Sequence, residues 1–176
     1  MGQRSVKRMA VVALLVGIAS ILGSGVKARA GAGKEPARGN RVEATFTETR
    51  LVVTERPELG IRQVINSGVG TLEGFGDATE IVAVSIDRTV EPCGPGSDTT
   101  TVLRRMVVAD GTLVLKTSAH RCPTVSGLIA YGEFEVDGAS STGVFEGAWG
   151  GGSDTVNIAM PLNNVTISGK LHLRQH

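Results

Sequence analysis

The chain has 176 residues, 18 Lys+Arg against 17 Asp+Glu, and aromatic residues make up only 3% of it. Five of the basic residues (Arg4, Lys7, Arg8, Lys27 and Arg29) and none of the acids lie in the first thirty, leaving 13 basic against 17 acidic residues beyond them, a net of −4. Such a chain is the size of one domain, it lacks the basic footprint of a nucleic-acid binder or an anionic-membrane ligand, and its few aromatic platforms weigh against carbohydrate or single-strand recognition.

Residues 1–30 read as a secretory signal. Met1 to Arg8 is basic, Met9 to Leu22 is an apolar run broken only by Gly17 and Ser20, and Ala28-Arg29-Ala30 supplies the small-x-small exit. The run is shorter than the roughly 20 residues a membrane span needs. No cysteine stands near the exit and Arg4 is not adjacent to Arg8, so neither a lipoprotein anchor nor the twin-arginine route is indicated. The expected location is secreted, extracellular or periplasmic, with no membrane attachment once the signal is removed. Residues 31–40, with Gly, Pro and charged residues from Lys34 to Asn40, form an expected flexible lead-in to a domain over 41–176.

From residue 41 onward alternation of period two dominates, punctuated by Gly, Pro and Asp-Gly. Val42, Ala44 and Phe46 share one face, whereas Thr49, Leu51 and Val53 fall on the other, which predicts a bulge near Thr47-Glu48. Short strands are expected at Ile61–Ile65 and Val69–Phe75, then over Thr79–Arg88 with Val82, Val84 and Ile86 on one face. Thr99–Ala109 and Thr112–Ala119 flank Asp110-Gly111, a two-residue hairpin signal. Leu128–Asp137, Thr142–Trp149 and Thr155–Met160 follow, and the last strand alternates Val165, Ile167, Leu171 and Leu173 with polar residues.

Eight to ten short strands with regular turns predict an all-β barrel or sandwich. Twenty of the 24 glycines lie after residue 30, many inside strands, as at Gly74, Gly76, Gly132, Gly143 and Gly147. Glycines there mark bends or close approaches, which a curved, closed sheet can use. An antiparallel closed barrel of about eight strands is therefore preferred.

Cys93 and Cys122 are the only cysteines, each in a turn-like context (Glu91-Pro92-Cys93-Gly94-Pro95-Gly96 and His120-Arg121-Cys122-Pro123). In an exported chain they are expected to form one disulfide, bridging the open ends of the hairpin around Asp110-Gly111. A metal site using His120 with the two cysteines lacks a fourth ligand at suitable spacing, so neither a metal nor a cofactor is expected.

Gly74-Phe75-Gly76-Asp77-Ala78-Thr79, Asp110-Gly111-Thr112-Leu113 and Thr142-Gly143-Val144-Phe145-Glu146-Gly147-Ala148-Trp149-Gly150 together resemble segments of secreted bacterial proteins related to the allene oxide cyclase and dirigent-like β-barrels. Where that family often continues its first motif with His-Leu-Gly, Glu80-Ile81-Val82 stands here. The resemblance, running from about Gly68 to Leu173, implies an eight-stranded antiparallel barrel with an apolar interior, commonly a homo-oligomer. It transfers no activity, because function in such barrels lies in a few polar groups in the cavity.

Two residues are candidates for such groups, as ligand-binding side chains. Glu80 shares parity with Val82, Val84 and Ile86 and would enter the barrel near one mouth, where desolvation raises a carboxyl's pKa. The plainer alternatives are a solvated strand end or pairing with an arginine. Arg104, in phase with Val102, Met106 and Val108, is a partner for Glu80 or an anchor for a ligand carboxylate, while adjacent Arg105 faces the other way. Glu133, Glu135 and Asp137 read as a solvated outer face, and His120 and His172 as surface residues without a Ser/Asp context for a nucleophilic triad. Asn164-Val165-Thr166 matches the glycosylation acceptor pattern. No catalytic constellation emerges. The leading expectation is an exported, non-catalytic barrel that binds a small apolar ligand or serves as a surface module. The alternatives are a cyclase/isomerase- or dirigent-like enzyme using Glu80 or Arg104 in the cavity, and a structural or protein-interaction module with a filled barrel.

Overall fold

A computed structural model describes residues 41–159 and 161–174, so the expected leader and lead-in lie outside the described residues. The elements are β1 (Val42–Arg56), β2 (Ile61–Leu72), β3 (Gly76–Asp87), β4 (Asp98–Val108), β5 (Gly111–Thr124), β6 (Gly127–Val136), β7 (Thr142–Gly143), β8 (Trp149–Ala159) and β9 (Leu162–His172), with one 3-10 turn at Pro57–Leu59. Each long strand pairs antiparallel with the next, and β9 returns to β1, closing an eight-stranded barrel; two-residue β7 is an addition to β5. Closure satisfies the backbone groups that an open sheet would leave along its edges, and it selects the barrel over the sandwich.

Alternation aims one side chain in two at the axis. One end of the barrel is solid. Phe46, Leu72, Met106, Leu113, Phe134 and Ile167 are buried there, and Phe75 packs on Phe145 with ring centroids 4.7 Å apart. Interior glycines make this filling possible. The ring of Phe134 lies over Gly152 and Gly169, where a Cβ would come within 3.0 Å and 2.8 Å of ring carbons.

Several elements depart from the pattern expected of the sequence. The register shift in β1 falls between Arg50 and Val52, not at Thr47-Glu48, so Glu48 stays in phase with Phe46 and points inward. The two short strands expected over 61–75 are one continuous strand, β2, running through Gly68 and Gly70. The β4–β5 hairpin turns on Ala109 and Asp110, because Val108 pairs with Gly111. Gly111 instead lets β7 approach: a Cβ there would sit 2.3 Å from the carbonyl oxygen of Thr142.

Residues 142–149 do not form the expected strand. After β7, backbone bonds Phe145 N–H to Thr142 O, Glu146 N–H to Gly143 O and Ala148 N–H to Phe145 O wind the chain into turns. Gly143 and Gly147 have φ of 64° and 70°, which alternation alone does not reveal. The resulting loop drives Phe145, fully buried, into the solid end.

Cys93, in the loop after β3, is bonded to Cys122 on β5 with Cα atoms 5.7 Å apart, within the range a disulfide requires. It lies at the opposite, open end, beside the terminal β4–β5 pair Asp98–Arg121. No helix among the described residues is long and apolar enough to cross a membrane. The disulfide is compatible with an extracellular location.

Candidate functional site

Midway along the barrel the apolar interior gives way to one layer of polar side chains. Glu48 comes from β1, Asn66 from β2, Glu80 from β3, Arg104 from β4, Thr117 from β5, Asp154 from β8 and Asn163 from β9, and all seven are buried. Each occupies an inward position in register with apolar neighbours above or below it, so the strand period delivers them to one level.

Arg104 is the hub. Its Nη1 donates to Glu48 Oε1 at 2.8 Å and to Glu80 Oε2, and its Nη2 reaches Asp154 Oδ2 at 3.4 Å. Asn66 Nδ2 donates to Glu48 Oε2 at 2.8 Å, Asn163 Nδ2 to the same oxygen at 3.3 Å, and Thr117 Oγ1 to Asp154 Oδ2 at 3.1 Å. Gly68 makes room for Glu80, since a Cβ at that position would lie 2.5 Å from Glu80 Oε1 and 2.9 Å from its Cγ.

One guanidinium thus faces three carboxylates. The Glu80 carboxyl is raised to about 7, chiefly by burial, with Arg104 opposing the rise and the charges of Glu48 and Asp154 adding to it. Burial alone lowers the Arg104 guanidinium, but Asp154, Glu80 and Glu48 outweigh that, so it lies above its ordinary value and stays charged. The layer carries a net −1 with Glu80 protonated and −2 with it ionised. Within the layer four buried side-chain atoms have no hydrogen-bond partner: Asn66 Oδ1, Glu80 Oε1, Arg104 Nε and Asp154 Oδ1.

Above this layer the lumen opens into a cup at the disulfide end. Glu48, Asn66, Arg104 and Asn163 form its floor, Val64, Val82, Val102, Ala130 and Val156 stand in its wall, and Arg50, Thr100 and Arg121 stand higher in its lining. The cup has room for about 50 Å³, enough for a water or two.

Glu80 and Arg104 therefore meet inside the barrel. Glu80 is not near a mouth as expected; it lies in the mid-barrel layer and does not line the cup. Arg105 is exposed, as are Glu133 and Glu135. Asp137 is partly buried and accepts a 2.7 Å ion pair from Lys116. His120 is exposed and sits edge-on to Tyr131, whereas His172 stacks on exposed Trp149 at 3.8 Å.

Glu48, Asn66, Thr117, Asp154 and Asn163 were not singled out from the sequence, though their parity with buried apolar residues carried a signal. Glu48 follows Val42, Ala44 and Phe46 in phase, and Asp154 precedes Val156. The misplaced bulge hid the first, and a strand started at Thr155 hid the second. In comparison with known proteins, the chain matches no protein-family model, no curated protein and no solved structure.

Proposed function

We propose that this is an exported, non-catalytic binding barrel whose cup takes a small, largely apolar molecule and reads a polar group at its inner end. One observation carries the reading: an apolar-walled cup ends on a buried polar floor where Asn66 Oδ1 and Arg104 Nε have no partner. Unsatisfied buried groups are costly unless something meets them, and apolar walls with a few convergent polar groups are the usual make-up of a small-molecule site. At about 50 Å³ the cup is well short of a filled ligand site, so binding requires side chains at the mouth to swing aside. Arg121 is held there by two bonds to Asp98, whereas Arg50 has no ion pair with a described residue to give up.

The resemblance to allene oxide cyclase-like and dirigent-like barrels supports a role for the lumen, and a catalytic version would use Glu80 as acid or base near neutral pH. That carboxyl lies outside the cup lining, which favours binding over catalysis. The solid half, filled by Phe46, Phe134 and Phe145, favours a purely structural module as the second reading.

Native mass spectrometry of secreted protein, kept oxidised, tests the proposal. The expected result is a bound small molecule, released by organic extraction and missing from Val84→Trp, in which an indole occupies the cup. Bare protein mass, with no small apolar molecule taken up on addition, sinks it.

A further inference from the structure

Four arginines stand at the open end: Arg50 on β1, Arg62 on β2, Arg88 just after β3 and Arg121 on β5. Glu55 lies 3.3 Å from Arg62 Nε and 3.9 Å from Arg88 Nη2, and Asp98 holds Arg121. Two carboxylates thus serve three of the guanidiniums. Arg50 makes no ion pair with a described residue, and its Nε is buried without a hydrogen-bond partner. The Arg62 guanidinium is lowered first by burial and then by Arg50, with Arg88 and Arg121 adding to the effect against Glu55, so these charges lie close enough to act on one another.

Of the two lining cations toward the mouth, Arg121 is paired with Asp98 and Arg50 is paired with no described residue, while at the inner end Glu48 on the floor and Glu80 and Asp154 beside it surround Arg104. An anionic head is turned away from the floor and met at the mouth. Depth limits the body that follows it. From Thr100 in the upper lining to Arg104 on the floor is four residues of β4, about 13 Å along the strand and roughly 10 Å along the axis of a tilted-strand barrel. Below that level the lumen is solid.

We propose that the cup takes a short organic carboxylate, its head held by Arg50 at the mouth and its far end, a hydroxyl or carbonyl a few carbons or one ring away, meeting the Asn66–Arg104 floor. This rests on the reading of the cup as a binding site. Long-chain lipids overrun its depth, amines are repelled at the rim, and neutral molecules lose the charge-assisted bonds to guanidinium.

Titration calorimetry on the disulfide-intact protein with hexanoate, hexan-1-ol, hexylamine and palmitate tests it. Hexanoate should bind about tenfold or more tightly than the alcohol and the amine, with no gain for palmitate. Arg50→Gln should bring hexanoate down to the level of hexan-1-ol and leave the alcohol unchanged. Hexan-1-ol binding as well as hexanoate overturns the anion assignment while the binding reading stands. Palmitate binding far more tightly overturns the short body. No binding by any of the four overturns this proposal, and the native mass experiment then decides whether the cup binds something else. The probe series on the unaltered protein suffices even if Arg50→Gln fails to fold.

Discussion

Replacing Glu80 by Gln should change how stability depends on pH. The carboxyl is raised from 4.5 to about 7 by burial, with Glu48 and Asp154 adding to the rise and Arg104 opposing it. A raised carboxyl means that the fold holds this proton more tightly than the unfolded chain does. Below about pH 4.5 both states are protonated, and above about pH 7 both are ionised. Between those limits the folded state binds more protons, so stability falls as pH rises. At about 1.4 kcal/mol per pH unit, the whole displacement amounts to roughly 3 kcal/mol.

Glutamine keeps the shape and removes the titration. Urea unfolding of wild type and Glu80→Gln, followed by far-ultraviolet circular dichroism at about pH 4.5 and about pH 8, isolates the effect. Groups common to both proteins cancel in the difference. The loss of Glu80's ionic bond to Arg104 is a further change, tied to the same ionisation. The stability of wild type minus that of the variant should fall by roughly 3 kcal/mol from the lower pH to the higher. A difference that stays constant, or grows with pH, would show Glu80 ionised throughout and refute the account of the polar layer.

Arg104→Met leaves three buried carboxylates without their cation and should lower stability by about 3–5 kcal/mol in the same denaturant assay. Gly68→Ala crowds Glu80, held by Arg104, and should lose about 1–3 kcal/mol; combined with Glu80→Ala the loss should be clearly less than the sum, as a double-mutant cycle reads directly. Replacing Cys93 and Cys122 by Ser opens a link between residues 29 apart in sequence and should lower stability by about 3–4 kcal/mol in the chain-entropy model, seen as a lower melting temperature that dithiothreitol does not lower further.

The barrel was legible because period-two alternation survives in nearly every long strand, and turn residues separate them. What escaped were places where backbone conformation overrides the pattern. Thr142 to Trp149 alternates like a strand, yet Gly143 and Gly147 take left-handed φ and wind it into a plug. Asp110-Gly111 looks like the turn itself, but Gly111 serves the approach of β7. The polar layer was half legible. Glu80 and Arg104 sit inside runs whose apolar face is unmistakable, whereas Asn66 fell in the assumed gap between two short strands and Asn163 near an assumed turn. A misplaced bulge exchanges inward for outward beyond it, and a strand begun late or ended early leaves its lumen residues out, while the fold is unchanged.

The distribution of side-chain volume along the axis explains why this barrel is hollow at one end only. At the solid end, rings such as Phe134 lie over glycines on the next strand and the one beyond it, so the cross-section is filled. Toward the disulfide, the inward positions next above the floor include Val64, Val82, Val102, Ala130 and Val156, whose short side chains leave the axis open. Between the two lies the Arg104 layer. Buried ion pairs of this kind add little net stability compared with well-packed apolar residues, since desolvation offsets their attraction. A barrel selected for stability alone would be better served by leucines at these positions. Seven of the eight barrel strands nevertheless each place one polar side chain at the same level. The layer stops the aromatic filling partway and gives the cup a floor that a ligand's polar group can satisfy, which argues that the hollow is a feature the sequence maintains.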